Sequence, residues 1–185
     1  MNSVIDMVDY MNCKITHFPE PVLLKAAKPI EKIDESICQL AERMKEIMVE
    51  QKGIGLAGPQ AGVNLQIFVI SLDGTKENAR VYINPKIEPS GPMTTMEEGC
   101  LSLPGIYAKI SRYSQCIVHA IGLDGKPFSD AGEGLYARAM QHEYDHLQGV
   151  MIKDRMGEAA KLRARRILKR LQEEYENNQS TQGPK

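Results

Sequence analysis

Gln141-His142-Glu143-Tyr144-Asp145-His146 is the stretch around which this chain of 185 residues is organised. It has the form H-E-x-x-H within a segment of helical rhythm. Positions i and i+4 of a helix share a face, so both imidazoles can close on one metal ion. Glu143, one step round, is placed to take a proton from water. Leu135, Ala139, His142 and His146 fall on a single stripe, so the ligand face is also the face turned inward. The helix is predicted over about Gly134–Leu147, with Gly149 at the C′ position beyond it. An inward-facing metal helix belongs at the centre of a fold, with the other elements built round it.

Two histidines do not complete a site. In the pattern H-E-x-x-H-x-x-G-x-x-H the chain supplies His142, His146 and Gly149, but Ile152 stands where the third His is due. No His follows His146. Glu173 or Glu174 remains open as a distant acidic ligand, which would make the chain a zinc endopeptidase, although both sit in a charged run that reads as solvated. Upstream, Glu97-Glu98-Gly99-Cys100-Leu101-Ser102-Leu103-Pro104 places a cysteine in a short loop. One thiolate and two imidazoles leave a coordination position open, as a hydrolytic site requires. Alone, Cys100 is equally a small buried thiol, which is how Cys13, Cys38 and Cys116 read. His17 and His119 have no ligand-spaced partner and are read as structural. A Ser102–His hydrolase fails because both candidate histidines serve the metal. A purely structural metal site would have four protein ligands and no use for Glu143.

Gly53-Ile54-Gly55-Leu56-Ala57-Gly58-Pro59-Gln60 is a glycine loop ending in a side-chain amide. Its G-x-G-x-x-G spacing matches a dinucleotide fingerprint, which needs a strand before it and a helix after it. Here a helix precedes: Ile37, Leu40, Ala41, Met44, Ile47 and Met48 follow the i, i+3, i+4, i+7 rhythm. A β-rich run follows, so no helix start is available to a pyrophosphate.

Taken in order, G-x-G-L-A-x-P-Q, E-G-C-L-S and Q-H-E-x-D-H resemble the peptide deformylase family. The resemblance extends to His17-Phe18-Pro19-Glu20-Pro21, Ile83-Asn84-Pro85 and Leu123-Asp124-Gly125-Lys126-Pro127, and covers about Met11 to Asp154. It implies Cys100, His142 and His146 as metal ligands and Glu143 as the general base. It nominates the Gln60 amide and the Leu101 backbone N–H as donors to a developing oxyanion. Ile54, Gly55, Gly99 and Arg138 are the implied substrate-binding residues. The implied reaction is hydrolysis of the N-formyl group from the initiator methionine of nascent polypeptides, giving formate. The implied ion is Fe(II), with Zn(II) the alternative and nickel or cobalt as substitutes. Ligand types alone do not choose between them. Two positions depart from the family pattern. Gly58 replaces a usual Ala, which is expected to loosen the loop. Arg138 stands where an apolar residue is usual; it can snorkel, narrow the methionine pocket or pair with an acid, and altered side-chain preference is expected.

Composition agrees with one metallohydrolase domain over residues 1–185. The chain is 42% hydrophobic with a net charge of −1, so no overall field draws it to DNA or membrane. Four unevenly spaced cysteines argue against a disulfide framework and for a reducing, cytoplasmic setting. The first ten residues carry no signal-peptide pattern, and Met11 is an alternative start. No run approaches the about 18 apolar residues of a membrane span.

A coarse reading gives residues 1–10 loose and a helix over Glu35–Gln51 with Asp34 as N-cap. Strands are expected at Leu65–Leu72, Arg80–Asn84, Tyr107–Ser111 and Cys116–Gly122, with a hairpin turn at Asp124-Gly125. A last helix over Gly157–Tyr175 presents Leu162, Ile167, Leu168, Leu171 and Tyr175, and the tail 177–185 is expected to lack order. The class is α+β: antiparallel or mixed sheets round the metal helix, with an N-terminal and a C-terminal helix. The last helix also carries Lys161, Arg163, Arg165, Arg166, Lys169 and Arg170. That cluster is either a contact for ribosomal RNA or a solvated face.

Overall fold

A computed structural model describes residues 10–181. One sheet is built in the order β1 (Gly55–Ala57), β2 (Ile67–Ile70), β3 (Arg80–Gly99), β4 (Tyr107–Ile121) and β5 (Pro127–Glu133). All neighbours in it run antiparallel. Among the described residues a parallel contact occurs as the isolated bridge Lys28–Leu65, so the sheet is antiparallel rather than mixed. The helices are α1 (Glu35–Glu50), α2 (Gly134–Leu147), the short α3 (Ile152–Arg155) and α4 (Glu158–Thr181).

The pleat of the sheet decides what packs where. Successive side chains of a strand point to opposite faces. Ile67 and Val69 of β2, with Val81 and Ile83 of β3, join the cluster built on α1. Phe68, Ile70 and Tyr82 point the other way and pack with Ala137, Met140 and Leu147 of α2. β2 is therefore buried on both faces, which is why it reads as a continuous apolar run. A third cluster joins Ala108 and Ile110 of β4 to Leu103, Ile106 and the inner side of α4. The metal helix is held between them.

Helix ends follow local chemistry. The Asp34 carboxylate accepts from the Ser36 backbone N–H at 3.1 Å and starts α1. Gly149 follows α2 with φ 72°, a conformation glycine adopts freely. A Cβ there would lie 2.8 Å from the Lys25 backbone nitrogen, so two segments meet at the end of the metal helix.

Several expectations need correction. Tyr107–Ser111 and Cys116–Gly122 are parts of the single strand β4. Arg112 masked the join: it is 3% exposed and keeps the inward phase of the alternation, because its charge is paired inside. β3 runs on past Asn84 through Pro85, Pro89 and Pro92. β2 pairs only with Arg80–Ile83, so these prolines lie on a free edge and break no ladder on that side. Leu162 is 71% exposed, because the inner side of α4 runs through Ala164, Ile167, Leu168 and Leu171, and Leu162 falls opposite. The helix also continues through Asn177 to Thr181, with Ser180 Oγ donating to the Glu176 carbonyl at 2.9 Å. Residues 182–185 of the expected loose tail, and residues 1–9 of the expected loose start, lie outside the described residues; Tyr10 is buried against α1.

Gly149→Ala should lower stability by more than about 1 kcal/mol, since Ala is strained at this φ and meets backbone atoms. A urea denaturation series reads this directly; an unchanged midpoint would mean that the Lys25 segment yields.

Candidate metal centre

His142 and His146 project from α2 one turn apart, and Cys100 follows the last residue of β3. Their donor atoms Sγ, Nε2 and Nε2 all lie within 4.8 Å of one another. Cys100 Sγ is 3.3 Å from His146 Nε2, and the two Nε2 atoms are 3.3 Å apart. Donors about 2.0–2.3 Å from a tetrahedral ion are separated by roughly 3.4 Å, so this triangle has the size of three corners of such a site. Soft sulfur with two imidazoles suits a divalent first-row metal, and the residues fit one.

The surrounding charges favour a cation. Glu98 Oε2 accepts from His142 Nδ1 at 3.0 Å, which leaves the Nε2 lone pair facing Cys100 and His146. Burial alone would lower the His142 pKa, but the Cys100 sulfur and the Glu98 carboxylate outweigh it and carry it up to about 10. Burial holds His146 well below its ordinary value, so it is a neutral ligand, and its Nδ1 has no partner among the described residues. Glu98 itself sits at about 2: burial opposes its charge, and the hydrogen bonds from His142 and Arg112 overcome that.

Gln60 and Glu143 flank the triangle. Gln60 Oε1 accepts from the Ala57 N–H at 2.8 Å, which turns the amide so that Nε2 faces Cys100 Sγ at 3.6 Å. Glu143 is buried, and its Oε2 has no partner among the described residues. Burial pushes its carboxyl up to about 7 against the pull of His142 and Arg112. A Cβ at Gly55 would collide with Glu143 Oε1, so the carboxylate is seated against bare backbone. Gly58 serves a different end. A Cβ there would stand 2.6 Å from the Leu65 carbonyl oxygen, so the missing methyl permits close packing and does not loosen the loop.

A cavity of about 630 Å³ opens over this centre. Ile54, Gly55, Gln60, Gly99, Cys100, Leu101, Arg138, His142 and Glu143 all line it, so the residues singled out in the sequence converge apart from His146, which lies behind. Arg138 does not snorkel. It is 4% exposed and its guanidinium is turned onto Glu98 at 2.6 Å, the acidic-partner alternative. Glu173 and Glu174 are exposed on α4 and pair with Lys169 and Arg170, which removes them as ligands. Ile152 is buried in the third apolar cluster. His17 is exposed but touches the rim of the cavity, and His119 lies on the outer sheet beside Ser129 and Glu88.

The sequence reading missed the polar frame behind the histidines. Arg112 donates to both oxygens of Glu98 (Nε at 2.7 Å, Nη2 at 3.0 Å) and to Asp145 at 2.8 Å, and Arg155 closes on Asp145 from α3. One signal was available: Asp145 sits inside the H-E-x-x-H segment at a position too close to the ligands to be solvated.

Comparison with known proteins agrees with this geometry. A family model described as polypeptide deformylase matches residues 12–162. The peptide deformylase of Pseudomonas aeruginosa is 41% identical over 162 residues, covering 87% of this chain and 95% of that protein. A crystal structure of a plant peptide deformylase superposes with a TM-score of 0.86 at 38% identity, covering 90% of this chain and 92% of the other. A Legionella pneumophila peptide deformylase gives 0.81 at 39% identity, covering 93% and 99%.

Proposed function

We propose a reaction from one premise: the chain belongs to the peptide deformylase family. It removes the formyl group from the N-terminal methionine of newly synthesised polypeptides and releases formate. The observation that carries this reading is the convergence of Cys100, His142 and His146 with the Gln60 amide and the Glu143 carboxylate in one cavity. A zinc endopeptidase is disfavoured, since the acids it would need as third ligand face solvent.

Cys100, His142 and His146 would hold one divalent ion. When bound, the ion supplies Lewis acidity, polarising the formyl carbonyl and making water a competent nucleophile near neutral pH. The protein does the rest. Glu143 takes a proton from the attacking water and returns one to the leaving nitrogen as the C–N bond breaks. Gln60 Nε2 is already aimed at the centre by the Ala57 bond. With the Leu101 N–H it would donate to the oxygen on which charge develops. Ile54, Gly55 and Gly99 border the cavity, and the two glycines add no side chain there, so an extended peptide backbone can lie close to β1 and to the end of β3. Water oxygen ends on formate, and the polypeptide leaves as a free amine.

We assign Fe(II) as the native ion on the family resemblance, with Zn(II) the alternative and nickel or cobalt able to substitute. The cytoplasm is the setting. Cys38, Cys100 and Cys116 are free thiols, and no helix among the described residues is long and apolar enough to cross a membrane. The exposed face of α4 is a candidate contact for ribosomal RNA. Lys161, Lys169 and Arg170 pair with glutamates of the same helix, whereas Arg163, Arg165 and Arg166 form no ion pair among the described residues.

Formate release from a formyl-methionyl peptide should stop on chelation and return with metal. Glu143→Gln should keep its metal while turnover falls by about 10²-fold or more. Cleavage of internal bonds in an unformylated peptide would instead restore the endopeptidase. Metal analysis after anaerobic purification should find iron, with activity decaying in air; air-stable activity with stoichiometric zinc would reverse that assignment. Reversing Arg163, Arg165 and Arg166 to Glu should abolish salt-sensitive co-sedimentation with ribosomes and leave peptide hydrolysis intact. Unchanged co-sedimentation would make the cluster a solvated face.

A further inference from the structure

We propose that Arg138 is a positioning residue: it clamps the hairpin that carries Cys100 to the helix that carries His142 and His146, and so sets how the three donors meet. The inference rests on the metal-site reading above.

Arg138 lies on α2, one turn before His142. Its Nη1 donates to Glu98 Oε1 at 2.6 Å and to the Ile110 carbonyl at 2.9 Å. Its Nη2 donates to the Thr94 carbonyl at 2.7 Å and to Thr94 Oγ1 at 3.2 Å. Thr94 and Glu98 belong to β3 and Ile110 to β4. One guanidinium therefore ties the histidine helix to both strands of the hairpin whose turn begins with Cys100. A planar fork with fixed donor directions can do this, whereas an ammonium on a flexible stem cannot reach all three strand partners at once.

The same contact allots the oxygens of Glu98. Oε1 receives Arg112 Nε and Arg138 Nη1, while Oε2 receives Arg112 Nη2 and His142 Nδ1. With Oε1 engaged from two sides, the carboxylate cannot rotate, and Oε2 stays on His142. That bond fixes the imidazole's orientation and keeps Nε2 toward the metal position. A residue that read the substrate side chain would keep a donor directed into the cavity. Arg138 lines the cavity but is 4% exposed and spends both terminal nitrogens on the protein, leaving only its buried Nε without a partner among the described residues.

The test loads the parent, Arg138→Met and Arg138→Lys with Co(II). It follows the thiolate-to-Co(II) and ligand-field absorption, competition with a chelator, and KM and kcat on a formyl-methionyl peptide. Loss of an outer partner of a metal-bound histidine weakens metal binding roughly 10- to 100-fold, and that loss is expected in Arg138→Met, with altered absorption. Arg138→Lys should recover part of it through Glu98. The fall in activity should appear in kcat, with KM near the parent's. Parent-like Co(II) affinity and spectrum in Arg138→Met, with only KM changed, would overturn the clamp and make Arg138 a pocket wall. If Arg138→Met does not fold, Arg138→Gln decides by the same affinity and spectrum, and parent values there overturn the proposal. Absence of a thiolate band in the parent would instead strike the underlying metal reading.

Discussion

The arrangement depends on a buried carboxylate. Cys100 and His146 are 46 residues apart, on a strand end and a helix, and nothing in either element by itself fixes their separation. Glu98 does so from two residues before Cys100, bonded across to His142. Behind it Arg112 joins Glu98 to Asp145 on the helix, and Arg155 joins Asp145 to α3. Buried ion pairs contribute little net stability, because desolvation consumes most of the attraction, yet breaking one costs about 3–5 kcal/mol by leaving a charge unpaired. The network is thus poor as glue and good as a gauge: any slip of hairpin against helix strands a buried charge.

Cohesion comes from the apolar layers. Ile67, Phe68, Ile70, Tyr82 and Ile83 are almost wholly buried, alternating between the α1 and α2 sides of the sheet. Each such side chain contributes on the order of 1.5–3 kcal/mol. This deeply buried part of the sheet includes β1, and the turn after β1 carries Gln60. The amide donor is placed by a deeply buried region, while Cys100 comes from the long hairpin, whose β3 strand is exposed from Glu88 to Glu97. A site assembled from a buried and a more exposed element needs cross-links at their junction, and the charged network lies at that junction.

Much of this was legible in the sequence where one local rule dominates. The bounds of α2 follow from its stripe and from Gly149, and the start of α1 follows from Asp34. Cys100 and Gln60 could be placed beside Glu143 through the family resemblance, since Cys100 alone reads equally as a buried thiol. The failures share a cause. Arg112 drew no reading and Arg138 was left between snorkelling, narrowing the pocket and pairing with an acid, because a sequence does not show that two acids wait in the interior to receive them. The strand expected over Arg80–Asn84 stopped short of Pro85, because an edge position, where prolines are tolerated, is a property of the sheet. Leu162 was assigned inward on hydrophobicity alone, although its helical phase opposes Leu171.

The glycines of the loop before Gln60 show how one constraint serves two purposes. Their spacing invites a nucleotide reading, but Gly55 sits in β1 and Gly58 opens a single tight turn, so no helix dipole is presented to a phosphate. Gly55 instead removes the one side chain that would occupy the space of the Glu143 carboxylate. That carboxylate is held against a strand backbone, buried, with one oxygen that has no partner among the described residues, at the wall of the cavity where a substrate water would meet it. Apolar Met96, Tyr107 and Leu135 stand exposed round the same cavity. These side chains share the rim with the exposed polar residues His17, Gln51, Lys52 and Glu97, while the metal-site donors lie on the floor, so a peptide can rest its side chains above as its terminal amide reaches the groups that act on it.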